Sequence, residues 1–292
     1  MLSKLQIKHF QNKPLQLATK IKFFLIVILS LLSIMNTYAQ PKYFTTNIGR
    51  IAVYIKENTF DKVPIIFLHG VYFDHHLWDS QIKEINDRTV ISIDMPFHGN
   101  SREIIKTNWT MTDCSNMLIE ILDSLKISKV IAFGHSWGSM TILRAAHKYP
   151  ERFASIGFCN MPFQAASKKR KATFGLQHSM LVLRNFYTKQ AAKALFGKVS
   201  LKENASLINQ LQRPMSILSN KQVKQIDKVV ILDAIDATDL IKTLKVKALA
   251  LKGVEDYVPK PPNIETIVIE GGHISPLEKP YEVSKILERL LQ

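Results

Sequence analysis

Cysteine is nearly absent from this chain, with Cys114 and Cys159 the two present in 292 residues. Two are too few for a disulfide framework, and they stand too far apart for the paired spacing of a zinc site, so they are expected as buried free thiols. A single bridge stays open only if the fold brings them together. There is no internal repeat and no long low-complexity tract. With 46% of residues hydrophobic, that excludes a disordered chain and allows a packed globular one. Acidic residues are also scarce, with 24 Asp plus Glu against 39 Lys plus Arg, a formal charge of +15. No nucleic-acid-binding motif and no HExxH string accompanies that charge, so neither a nucleic-acid partner nor a metal is expected.

The positive charge is uneven. Residues 1–22 hold Lys4, Lys8, Lys13, Lys20 and Lys22 and no acid, and an almost wholly apolar run over 23–35 follows. Basic, then apolar, then the small-residue stretch Thr37-Tyr38-Ala39 is the order of an export signal, with cleavage expected after Ala39; an uncleaved N-terminal anchor is the alternative. Without the leader the charge is +10. Residues 164–228 account for all of it, with 13 Lys or Arg, including Lys168, Lys169, Arg170 and Lys171 in a row, against Glu203 and Asp227. A solvated charged face explains such a cluster, and contact with an anionic membrane surface or an acidic substrate is the functional alternative.

The roughly 250 residues from 40 to 292 suit one large core. Runs rich in Val, Ile and Phe at 51–55, 63–68, 89–93, 129–133, 153–158, 246–251 and 264–269 read as strands. Helical spacing at 111–125, 140–149 and 281–291 alternates with them. Alternation predicts an α/β fold, a mostly parallel central sheet with helices on both faces, and ligands beyond the carboxyl ends of the strands. Residues 161–227 break the pattern. They carry helical runs at 179–196 and 206–211, with Pro214 interrupting the next, and predict a helical, lid-like cap.

Gly134-His135-Ser136-Trp137-Gly138 stands between a strand and a helix, where small flanking residues allow a sharp turn that exposes the serine hydroxyl. Here the chain resembles the α/β-hydrolase superfamily, in its serine esterase and proline iminopeptidase branches. Leu68-His69-Gly70-Val71 looks like the family's oxyanion loop, and Asp94-Met95-Pro96-Phe97-His98-Gly99-Asn100-Ser101 is similar to its D-x-P-G-x-G-x-S turn, with Phe97 in place of a glycine. Residues 251–259 resemble the loop of the acid and residues 271–280 that of the histidine. The resemblance implies a triad of Ser136, Asp256 and His273 in the chain order of this fold, and an oxyanion hole from the backbone N–H groups of Val71 and Trp137. Glu255, Asp233, Asp236 and Asp239 are competing acids, because Lys260-Pro261-Pro262 leaves no room for the helix the family often places before its histidine. Phe97, Trp137, Met161 and Phe163 flank these loops and are candidate walls of an apolar substrate pocket, with ordinary core packing the alternative for each.

The implied activity is cofactor-free hydrolysis of an ester with a small to medium apolar acyl group. The alternatives are an aminopeptidase of the proline iminopeptidase type, a lipase or lysophospholipase at a membrane surface, or hydrolysis of a thioester, a lactone or a carbon–carbon bond. A silent binding protein is disfavoured by the intact set. A serine at the turn argues against haloalkane dehalogenase or epoxide hydrolase chemistry, which needs a carboxylate there. His69, His75, His76 and His98 fit oxyanion-loop structure and pocket lining better than a metal cluster.

Overall fold

The computed structural model describes residues 40–292, and a compact unit runs over Pro41–Gln292. The expected signal segment, residues 1–39, lies outside the described residues. The strands are β1 (Lys42–Thr45), β2 (Gly49–Lys56), β3 (Ile65–Leu68), β4 (Val90–Ile93), β5 (Glu103–Ile104), β6 (Val130–His135), β7 (Phe153–Cys159), β8 (Ala248–Gly253) and β9 (Glu265–Ile269). They form one sheet in the order β1-β2-β4-β3-β6-β7-β8-β9, with β5 paired to β2. Pairing is antiparallel where β2 meets β1, β4 and β5, and parallel from β4 through β9.

The two central strands β3 and β6 are buried at every position. This is why their sequences read as continuous apolar runs without alternation. Phe67 on β3 and Phe133 on β6 meet edge to face and both pack on Trp78.

Helix α1 covers Asp79–Glu84, α2 Met111–Ser124 and α3 Trp137–Lys148. Thr110 starts α2 with a reciprocal capping box to Asp113, and Cys114, Met117, Leu118, Ile121 and Leu122 bury one stripe against the core. Helix α3 packs on α2 and on β6. The last helix, Pro280–Leu291, packs on β6, β7, β8 and α1, so the sheet is covered on both faces. Cys114 and Cys159 are buried and unbridged.

Between β7 and β8 the chain is helical. Lys168–Ser179, Arg184–Leu195, Lys198–Glu203, Leu207–Ser216 and Asn220–Asp227 follow one another, and the helical path continues past Asp227 as a wider turn over Lys228–Leu232. Two expectations differ in detail. The run expected at 179–196 is broken by a 3-10 turn at Met180–Val182, and Pro214 does not separate two helices but lies inside the last turn of Leu207–Ser216. A proline there removes one N–H two residues before the helix stops, where the ladder is about to end.

Candidate active site

Neighbouring strands deliver the candidate residues from their carboxyl ends: Val71 after β3, Ser136 after β6, Asn160 after β7, Asp256 after β8 and His273 after β9. Parallel strands whose loops all emerge at one edge bring residues distant in sequence into one place.

Ser136 sits between β6 and α3 at φ 48, ψ −109, a backbone conformation L-residues rarely adopt. The flanking glycines permit it. A Cβ on Gly134 would lie 2.5 Å from the Gly138 carbonyl carbon, and one on Gly138 would collide with the Leu68 carbonyl. Ser136 N–H donates to the Cys159 carbonyl at 2.9 Å, tying the turn to β7.

His273 Nε2 lies 3.0 Å from Ser136 Oγ, and its Nδ1 lies 2.9 Å from Asp256 Oδ1. All three side chains are buried. With the carboxylate accepting from Nδ1–H, Nε2 is left as the basic nitrogen facing the serine. Asp256 Oδ1 also accepts from Val258 N–H at 3.2 Å, and Oδ2 from Asn160 Nδ2 at 2.7 Å. Burial pushes the Asp256 pKa up, but His273 and these hydrogen bonds outweigh it, so the carboxyl is held below its usual range.

The short β8–β9 connection therefore still delivers Asp256. Lys252 Nζ donates to the Asp256 carbonyl at 3.1 Å and the Val258 carbonyl at 2.5 Å, folding the loop back on its own strand. The competing acids are engaged elsewhere. Glu255 accepts from Lys198 N–H, Asp233 pairs with Lys228, Asp236 accepts from Thr238 N–H, and Asp239 lies 3.6 Å from Lys242.

The loop after β3 is held by two neutral histidines. His69 Nδ1 donates to the Gly70 carbonyl and its Nε2 accepts from Met95 N–H; His98 Nδ1 donates to the Pro96 carbonyl and its Nε2 accepts from Tyr72 N–H. Burial lowers the pKa of His69 to about 3 and of His98 to about 4. The Tyr72 amide thus serves His98, and the Gly138 amide serves the His69 carbonyl at 3.1 Å. The intervening amides of Val71 and Trp137 have no backbone acceptor among the described residues.

Ser136 and His273 open into a cavity of 490 Å³. Val71, Tyr72, His135, Met140, Tyr257 and Ile274 form its floor, and cap residues that include Arg170, Phe174, Met180, Leu195 and Ile231 form its roof. The expected walls Phe97, Trp137, Met161 and Phe163 do not line it. Met161 and Phe163 are buried in the core while their neighbours Pro162 and Gln164 face the cavity, as successive positions of an extended chain must. Phe97, at φ 70 where the family turn has glycine, packs toward Trp109, which stacks on Trp137 behind the serine. Three residues escaped the sequence reading. Asn160 holds Asp256, Tyr257 stacks on His273 with centroids 4.8 Å apart, and Asp227 accepts from Tyr72 at 2.5 Å beneath the cap. The one local hint was Tyr257 beside the acid.

A family signature described as "alpha/beta hydrolase fold" matches residues 63–280. "Epoxide hydrolase 1" of Caenorhabditis elegans is 24% identical over 119 residues, 40% of this chain and 30% of that protein. The "uncharacterized carboxylesterase nap" of Bacillus subtilis is 26% identical over 125 residues, 42% of this chain and 41% of that protein. The chain thus spans well under half the length of these curated relatives. Among solved structures, a thermophilic esterase from Thermogutta terrifontis superposes with a TM-score of 0.73 at 22% identity, covering 87% of this chain and 98% of that one. The enol-lactonase from Burkholderia xenovorans LB400 superposes with a TM-score of 0.75 at 18% identity, covering 86% and 99%. A family match over most of the described residues, on a sheet with this strand order, makes the chain a member of the α/β-hydrolase fold family.

Proposed function

We propose that the protein is a serine hydrolase that cleaves a carboxylic ester of a small to medium apolar acyl group through an acyl-enzyme. The observation that carries this reading is the unbroken chain of contacts Ser136 Oγ–His273 Nε2, 3.0 Å, and His273 Nδ1–Asp256 Oδ1, 2.9 Å, at the floor of the cavity. A serine hydroxyl is inert at neutral pH, so His273 takes its proton as Oγ attacks the ester carbonyl. Asp256 holds the imidazole in the required tautomer and stabilises the imidazolium. The amides of Val71 and Trp137 receive the oxyanion, a contribution of roughly 3 kcal/mol per donor. His273 then returns the proton to the departing alkoxide, leaving the acyl group on Ser136. Water, deprotonated by His273, repeats the attack and releases the acid.

The cavity favours ester over aminopeptidase chemistry. A substrate with a free α-ammonium group needs an acid to hold it, and the lining residues include Lys169 and Arg170 but no Asp or Glu. The serine also separates this chain from carboxylate-nucleophile relatives. A fluorophosphonate probe should label the wild type and neither Ser136→Ala nor His273→Ala, and folded wild type that takes no label would sink the reading. 4-Nitrophenyl esters should be hydrolysed and proline 4-nitroanilide should not. Export belongs to the same reading, supported by the basic-then-apolar leader. N-terminal sequencing of the exported product should begin at Gln40.

A further inference from the structure

The cavity above Ser136 carries an unbalanced charge. Lys169 and Arg170 line it, no acid does, and neither cation forms an ion pair with any described acid. Arg170 is the better placed. It is half-buried in the first turn of Lys168–Ser179, where its N–H is fixed by the capping hydroxyl of Ser167 at 3.2 Å. Its guanidinium lies 4.4 Å from the centroid of the Tyr257 ring, and that ring in turn stacks on the His273 imidazole at 4.8 Å. A cation is therefore held one aromatic ring away from the proposed general base. Stacking engages the face of a guanidinium, while its N–H donors lie on the edge in the fork that matches a carboxylate. Cations that stay solvated on a surface need no explanation. Arg170 is half-buried against the partly exposed Tyr257 ring, in a lining that combines Met140, Met180, Leu195 and Ile231 with neutral polar side chains such as Gln177 and Gln190, and a cation ordered there without an acid has an anion-recognition site's chemistry.

We propose that Arg170 is a substrate-recognition residue for a carboxylate, and that the preferred substrates are esters bearing a second, ionised carboxyl group. This rests on the serine-hydrolase reading and narrows it: an apolar chain spans the cavity and an anion ends at Arg170. Association should be favoured by the local positive potential and weakened by salt.

The test compares esters in pairs of the same chain length, one member carrying an ionised carboxyl group and the other a neutral end, with each ratio corrected for the pair's ratio in alkaline hydrolysis without enzyme. 4-Nitrophenyl hydrogen adipate against 4-nitrophenyl hexanoate places the anion on the acyl side. 4-Carboxyphenyl hexanoate against its methyl ester places it on the alcohol side. The readout is the ratio of kcat/KM within a pair in one enzyme preparation, so losses of folded or active protein cancel. In the wild type one pair should favour the anion about 10-fold or more, mainly through KM, as a charge-assisted hydrogen bond would give. That ratio should fall toward one in Arg170→Ala, be partly kept in Arg170→Lys, and shrink with added salt. Wild type that takes the fluorophosphonate label and cleaves neutral esters with both ratios at or below one overturns this inference alone. So does a preference that Arg170→Ala leaves intact. Absence of labelling and of any ester hydrolysis overturns the serine-hydrolase reading and this inference with it.

Discussion

Asn160 is the residue through which the site depends on a side chain no motif announces. It is buried at φ 53, the left-handed region that asparagine tolerates better than most residues, and it donates to Asp256 Oδ2 at 2.7 Å and the Gly272 carbonyl at 3.2 Å. Asp256 is thereby fixed from both oxygens. Asn160→Ala should lower kcat/KM by about 10-fold, since a carboxylate held on one side orients the imidazole less well. Asn160→Asp is the sharper test. Two carboxyl groups at hydrogen-bond distance cannot both ionise, so one pKa rises and the acid limb of the kcat/KM profile should move to higher pH; an unmoved limb would remove Asp256 from the mechanism. Glu255→Gln should leave kcat/KM within about 3-fold, because the Glu255 carboxylate bonds the Lys198 N–H while His273 is bonded by Asp256.

At the scale of elements, the cap and the loop after β3 share one buried polar cluster. Asp227, at the end of Asn220–Asp227, accepts from Tyr72 at 2.5 Å, from Tyr187 at 3.4 Å and from His178 Nε2 at 2.8 Å. Tyr72 follows Val71 at φ 71, so the cluster ties the cap to the amide proposed for the oxyanion hole. Burial, with Asp227 beside it, raises the Tyr72 pKa well above its ordinary value and keeps it a donor. Asp227→Ala leaves the buried hydroxyls of Tyr72 and Tyr187 only each other, at 3.1 Å, so that one of them loses its acceptor, and should cost about 3 kcal/mol in urea unfolding. Tyr72→Phe, which keeps the ring, should cost less in stability while lowering kcat for every ester. A kcat that does not change would mean the cluster holds the cap alone.

For the whole molecule, three buried histidines set the acid stability. Burial lowers His69 to about 3, His98 to about 4 and His135 to about 3, and their partners fit neutral rings. In the unfolded chain each takes a proton near pH 6.5. Between that value and the folded pKa values the unfolded state binds more protons, so stability is full above about pH 6.5 and falls as pH drops toward 4. The carboxylates Asp94 and Asp256, held low in the fold, add to the loss only near and below their unfolded pKa of 3.8. The unfolding free energy should fall from pH 7 to pH 5 with an uptake of about three protons. Uptake of fewer than one would mean that these rings are not neutral in the fold.

Elements whose cause is local were legible in the sequence. The buried strands β3 and β6, the tight turn at Ser136 and the helix after it follow from apolar runs and from glycines that no other residue replaces without collision. Strands β1 and β5 were not legible. Exposed or very short, they exist because β2 offers them hydrogen bonds, and their residues carry no apolar pattern of their own. The same division runs through the site. The glycine-flanked turn between strand and helix named Ser136, and the resemblance of residues 271–280 to the family's histidine loop named His273. For the third place the resemblance implied Asp256 with several competing carboxylates, and it is in the fold, where Lys252 also bonds the loop's carbonyls, that Asp256 stands at hydrogen-bond distance from His273. Asn160, Arg170 and Asp227 act across the gaps between β7, the cap and the loop after β3. Their meaning is a matter of which side chains meet, and meetings between distant segments are decided by packing of the whole sheet and cap, which no stretch of sequence contains.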